Sequence, residues 1–113
     1  TGTVVVLKGA GTLLAVPGRQ RRPEICLEGN QAMACGGMGD LLAGICGALL
    51  AQRGITAEQA ARFAVCAHGE AGDRAASALN ADRGVLASDL FGWLPGLLSG
   101  AADVSSSQGR PRF

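Results

Sequence analysis

The chain has 113 residues, with ten Lys/Arg against nine Asp/Glu and a formal net charge of +1. That is room for one domain with a modest core, and it carries no charge excess of the kind a nucleic-acid arm or a polybasic membrane anchor needs. Hydrophobic residues make up 48%, yet aromatics only 4%, and there are 18 glycines. This suits an alanine-rich α/β enzyme with tight turns better than a β-sandwich, which draws on Val, Thr and aromatic residues. The cysteines at 26, 35, 46 and 66 form no CxxC pair, which fits neither a zinc site nor a redox dithiol. With no signal peptide in front, they read as reduced thiols in a cytoplasmic setting. The longest apolar run, Leu41 to Ala51, is far short of the ~20 residues a membrane span requires.

In chain order, Thr3 to Leu7 is a β-branched apolar run ending at Gly9-Ala10-Gly11. Its lack of alternation predicts a strand buried on both faces, central in a parallel sheet whose neighbours are missing, which would leave it an unpaired edge here. The chain opens almost directly into it without Met, as a fragment cut from a larger domain would; alone, it is expected to be poorly stable and nearly inactive. Thr12 to Val16 is a second run closed by Pro17-Gly18, so the two runs read as a β-hairpin. Arg19-Gln20-Arg21-Arg22-Pro23 is a polar surface loop, and Ile25-Cys26-Leu27 a third short strand.

A loop with four glycines, Gly29 to Gly39, leads into a helix over 40–52 that is apolar nearly all round, and so is expected to be buried. Gly44 and Gly47 inside it lower helix propensity, for which close packing on a neighbour would compensate; Gly54 is its C-terminal stop. Thr56 and Gln59 form a capping box opening a helix to about Ala78. Ala87-Ser88-Asp89 starts a third helix, with Ser88 as its cap, Asp89 near the positive dipole end and Pro95 inside it or at its end. From Asp103 onward there is no apolar periodicity. The domain boundaries are therefore 1–100 for the folded unit and 101–113 for a disordered tail.

Chemistry concentrates at Cys35-Gly36-Gly37-Met38-Gly39-Asp40. Glycines ahead of a helix leave backbone N–H groups pointing into one small volume, where the dipole adds about half a positive charge, so a phosphate fits. A carboxylate in the first helical turn then faces whatever the phosphate is attached to and can take a hydroxyl proton. A P-loop is excluded because no Gly-Lys follows these glycines, and a dinucleotide fingerprint because Leu42 stands where Gly or Ala is required. The bland alternative is a glycine-rich turn with Asp40 as a helix cap.

Gly36-Gly37-Met38-Gly39-Asp40 resembles the GxGD anion-hole motif of the ribokinase-like superfamily. Val5 to Thr12, Gly29 to Asp40, His68-Gly69-Glu70-Ala71-Gly72-Asp73 and Leu86 to Leu90 follow in order and at the separations of one branch. Together they resemble the ADP-dependent NAD(P)H-hydrate dehydratase family, including the C-terminal domain of bacterial bifunctional repair enzymes. The resemblance implies a ribokinase-like α/β/α sandwich, of which this chain would be the C-terminal half: short strands or a hairpin, then three helices. It implies nucleotide contacts from Lys8, Gly9, Ala10, Gly11 and Thr12 and from Gly36, Gly37, Met38 and Gly39. Asp40 would contact the hydrated nicotinamide and act as base, deprotonating the ring hydroxyl so that ADP can phosphorylate it. Loss of phosphate would regenerate NADH or NADPH and leave AMP. Also implied are Mg²⁺ alongside ADP, a homo-oligomer and fusion to an N-terminal epimerase domain, with no nucleic-acid or membrane partner. The family commonly has Pro near 31 or 32 and Thr at 35, where this chain has Gln31, Ala32 and Cys35; a thiol is the weaker donor.

The runner-up is a sugar or vitamin-alcohol kinase of the same superfamily, since phosphorylating a hydroxyl uses the same parts. A nucleotide-binding piece without activity is the third reading. A side chain at 39 is expected to intrude on the phosphate and to strain a glycine-only conformation. His68-Gly69-Glu70 lacks the downstream PCxxC of zinc deaminases; His68, Glu70 and Asp73 read as the polar edge of a helix, with a substrate-side role for His68 or Asp73 as the alternative. Cys46 and Cys66 read as inert core, and Trp93 beside Phe91 as packing.

Overall fold

Three short strands lead, and helices follow. The computed structural model describes residues 2–8, 12–18 and 22–99. Strands β1 (Val5–Leu7), β2 (Thr12–Ala15) and β3 (Glu24–Cys26) form a sheet in the order β1-β2-β3. Both pairings are antiparallel, with Val5 opposite Ala15, Leu7 opposite Leu13, and Leu13 opposite Ile25. The hairpin and the third strand match expectation. As expected of a strand whose neighbours are missing, β1 is an edge of the described sheet, with Val5 47% and Leu7 61% exposed. An apolar run without alternation says that both faces suit burial, not which strands lie beside it. The inward face of the sheet carries Leu14 and Cys26, both buried.

Helix α1 (Met38–Leu50) presents Met38, Leu42, Ile45 and Leu49 to the core, a three- and four-residue spacing that keeps them on one stripe. The expected all-round burial fails. Ala43, Gly44, Gly47, Ala48 and Leu50 are exposed, and a Cβ at Gly44 or Gly47 would meet nothing within 4 Å. Close packing therefore does not account for these glycines among the described residues. The helix starts two residues before Asp40, and Gly54 adopts φ +80° in the turn beyond it.

Helix α2 (Ala57–Leu79) opens on the expected capping box: Gln59 N donates to Thr56 Oγ1 at 3.1 Å, and Thr56 N to Gln59 Oε1 at 2.9 Å. Alanines 60, 61, 64, 71, 75 and 76 are buried along it, which lets α1 and the sheet lie close. Arg62 ties α2 to β3, its Nε donating to Glu24 Oε2 at 3.1 Å, and also pairs with Glu58 at 2.8 Å. Cys26 and Cys66, which form no disulfide, meet in the core with their sulfurs 3.7 Å apart.

The expected third helix is broken into a 3₁₀ turn, Ala87–Leu90, and a short helix α3, Leu94–Leu98. Asp89, not Ser88, does the capping, accepting from Leu86 N at 2.8 Å. Pro95 lies in the first turn of α3, where its missing N–H is no loss. The 101–113 tail, and Arg19, Gln20 and Arg21, lie outside the described residues.

Two glycines of α2 do the closest packing. A Cβ at Gly69 would lie 2.8–2.9 Å from the Glu28 backbone, and one at Gly72 2.1–2.7 Å from the Met33 side chain. Met33 can swing away, whereas the Glu28 main chain cannot. Gly69→Ala should therefore lower stability by about 1–3 kcal/mol, as overpacking does, and Gly72→Ala by less. Melting temperatures of the two variants in a complete domain would check that order.

Candidate active site

Residues 28–37 climb from β3 to the start of α1, lying along one face of α2. The chain turns first at Gly29, with φ +106°. Asn30 then caps a 3₁₀ turn, Gln31–Met33, its Oδ1 accepting from Ala32 N at 2.9 Å. Asp73 of α2 accepts from Gly29 N at 3.0 Å and from Asn30 Nδ2 at 2.7 Å. Ala32 O accepts from Val85 N at 3.1 Å. The second motif thus docks on the third, and the fourth follows directly on Val85.

Gly37 is the N-cap of α1 at φ +91°, with no side-chain cap, so a left-handed residue turns the loop into the helix. A Cβ there would sit 3.6 Å from Ala87 Cβ, whereas above Gly36 and Gly39 the space is open to 4 Å. Gly39 is helical and lacks the positive φ of Gly37. The expectation of a glycine-only conformation at 39 is corrected accordingly: the strained position is 37. Asp40 is exposed in the first turn, and Met38 is buried. Cys35 Sγ donates to Gly36 O at 3.4 Å, so the thiol faces its neighbour's carbonyl.

His68 lies beneath this loop. It is 3% exposed, and its Nε2 finds no hydrogen-bond partner among the described residues. Burial first, and the Lys8 charge second, lower its pKa to about 4, against an opposing hydrogen bond to the Met38 backbone. Met38 at the start of α1 is therefore a hydrogen-bond neighbour of the imidazole, and the charge of Lys8 at the end of β1 reaches it through space. Lys8 is itself lowered by desolvation, although its surface is exposed. Thr12 starts β2, half-buried, while Gly9, Ala10 and Gly11 lie outside the described residues. The polar-edge reading holds for Glu70, which pairs with Arg74 at 2.7 Å. It fails for buried His68 and for Asp73, which holds the loop.

Because His68 is neutral in the folded chain and has an ordinary pKa of 6.5 when unfolded, the unfolded state binds more protons between those values. Stability should therefore fall as pH drops from about 6.5 to about 4 and level off below. His68→Gln should remove that part of the acid loss, visible as a smaller difference in melting temperature between pH 7 and pH 4.

Short antiparallel strands followed by helices, with a glycine loop opening the first of them, are consistent with the carbohydrate-kinase-like class of α/β protein. Within that class, the family model described as NAD(P)H-hydrate dehydratase matches residues 1–95, and the chain belongs to this family. It is 48% identical over 88 residues to the bifunctional NAD(P)H-hydrate repair enzyme of Coxiella burnetii, covering 78% of this chain and 17% of that protein. The enzyme of the same name from Vibrio cholerae is 48% identical over 98 residues, covering 87% of this chain and 19% of its own length. The ADP-dependent (S)-NAD(P)H-hydrate dehydratase of Neisseria meningitidis is 38% identical over 89 residues, covering 79% of this chain and 29% of its own. The chain thus spans less than a third of these relatives. No solved structure matches it significantly.

Proposed function

We propose that this chain is the nucleotide-handling part of an enzyme that dehydrates the S-form of hydrated NADH or NADPH at the expense of ADP, giving NAD(P)H, AMP and phosphate. The observation that carries the reading is the gathering of four separate sequence segments at the start of α1. Met38 bonds to His68 and the charge of Lys8 reaches it, Ala87 abuts Gly37, and Asp73 holds the loop entrance. The open space above Gly36 and Gly39 is where a diphosphate would receive N–H groups, helped by the α1 dipole. Lys8, with Gly9, Ala10, Gly11 and Thr12, would hold the nucleotide from the strand side.

Asp40, exposed one residue beyond Gly39, would accept the proton of the substrate hydroxyl as its oxygen attacks the β-phosphorus of ADP. The bond from that phosphorus to the bridging oxygen breaks, and AMP departs. Loss of phosphate from the ring, together with a proton from the adjacent ring carbon to solvent, restores the double bond and completes the dehydration. Mg²⁺ belongs to this reading as a companion of the diphosphate, because it is usually held through phosphates and one or two carboxylates. Among the described residues no three His, Cys, Asp or Glu side chains cluster as a metal site, so the residues do not fit a protein-built cage, and no step here runs through the cation.

The names of the bifunctional relatives fit a parent with a second, epimerase domain, and we propose a cytoplasmic homo-oligomer. No helix among the described residues is long and apolar enough to cross a membrane. The reading is tested in a complete domain carrying this segment, by supplying ADP with hydrated NADH and, separately, ATP with a panel of sugars. Turnover only with the first pair is expected. Turnover only with the second would make the protein a kinase.

A further inference from the structure

Gly36 and Gly37 do not hold their own shape. Both are exposed and neither has a side chain, so the direction of their N–H groups is imposed from the flanks. Downstream, α1 supplies one fixed end, with Leu41 N donating to Gly37 O at 2.9 Å. Upstream, the nearest fixed element is the Gln31–Met33 turn, and only about 11 Å of extended chain can separate Met33 from Gly36. Whatever anchors that turn sets where the glycines begin.

We propose that Asp73 is a positioning residue for the nucleotide site, its carboxylate fixing the entrance of the glycine loop and so the aim of the N–H groups that receive the diphosphate. This rests on the function proposed above. Both carboxylate oxygens are committed to the loop, Oδ2 accepting from Gly29 N at 3.0 Å and Oδ1 from Asn30 Nδ2 at 2.7 Å. Asn30 relays the tie, since its Oδ1 accepts from Ala32 N and starts the turn. Bonds to an ionised acceptor are roughly twice as strong as neutral ones. The neighbouring cation does not compete, because Arg74 pairs with Glu70 at 2.7 Å. Gly69 makes the reach possible, as a side chain there would meet the Glu28 main chain, and Gly72 leaves room for the Met33 side chain.

The test uses the complete enzyme carrying this segment, with ADP titrated calorimetrically and kcat and KM measured with hydrated NADH. Well below its melting temperature, Asp73→Ala should raise the Kd for ADP and lower kcat/KM by about 10²-fold, as misplacing a catalytic frame by about 1 Å does. Asn30→Asp alone, which sets two carboxylates face to face, should behave alike. The exchange Asn30→Asp with Asp73→Asn should restore activity. The amide on α2 then accepts from Gly29 N and donates to the loop carboxylate, whose second oxygen still serves Ala32 N. Should Asp73→Ala not fold, Asp73→Asn, which keeps one acceptor for Gly29 N, carries the same comparison. Variants that melt lower yet keep the parental Kd and kcat/KM, or an exchange that restores nothing, would overturn the proposal alone. A parent that binds no ADP would overturn the proposed function with it.

Discussion

Asp40→Asn in the complete enzyme should lower turnover by about 10²–10⁴, the usual cost of losing a general base, with ADP and AMP affinity nearly unchanged. The amide copies the carboxylate in shape but cannot take the hydroxyl proton, so the loss falls on kcat and not on nucleotide binding. Asp40 is exposed in the first turn of α1, and the N-cap before it, Gly37, has no side-chain capping bond. A purely structural Asp40 would be worth about 0.3–1 kcal/mol through the dipole, which a melting curve would register while turnover stayed near normal. Measuring kcat, nucleotide Kd and melting temperature on one preparation separates the two roles. Near-normal turnover would leave Asp40 as a helix-end charge only.

What was legible in the sequence follows from how local each signal is. The capping box at Thr56 and Gln59, the hairpin and the glycine loop before α1 are set by neighbours within a few residues, and all appear in the structure. The position of β1 in the sheet depends on which strands lie beside it, and an apolar run carries no such information. The same holds for α1: its composition is apolar all round, yet only the Met38–Leu49 stripe is covered among the described residues. A continuous third helix does not form, because Ser88 only resembles a cap, whereas Asp89 reaches back to Leu86 N and closes a tighter turn.

The site divides in the same way. The glycines and Asp40 could be proposed because a phosphate site at a helix start would draw on consecutive residues. The roles of His68 and Asp73 could not, because each acts on a segment 30 to 44 positions away, through burial in one case and a hydrogen bond in the other. On a helix, a buried histidine and a solvated one present the same letter. Only the packing of residues 28–38 over α2, made possible by Gly69 and Gly72, distinguishes them.

Gly39→Val gives the sharpest separation between a phosphate cradle and a plain turn. Gly39 is the second residue of α1, without a positive φ, and a Cβ there would meet nothing within 4 Å. Valine is a better helix residue than glycine by a few tenths of a kcal/mol, so the fold should be unharmed or slightly stabilised. Any loss must therefore come from the ligand side. If the loop wraps a diphosphate, a branched side chain at 39 blocks the approach of oxygen to the N–H groups. Losing one such donor costs about 2.7–4 kcal/mol, or about 10²–10³ in kcat. Gly37→Val differs in its effect on stability. At φ +91° a branched residue carries about 1–3 kcal/mol of backbone strain, so its melting temperature should fall. A Gly39→Val protein with parental melting temperature and sharply weaker ADP binding supports the cradle. One that keeps both would mean that the glycines only turn the chain, and the diphosphate would have to be held elsewhere.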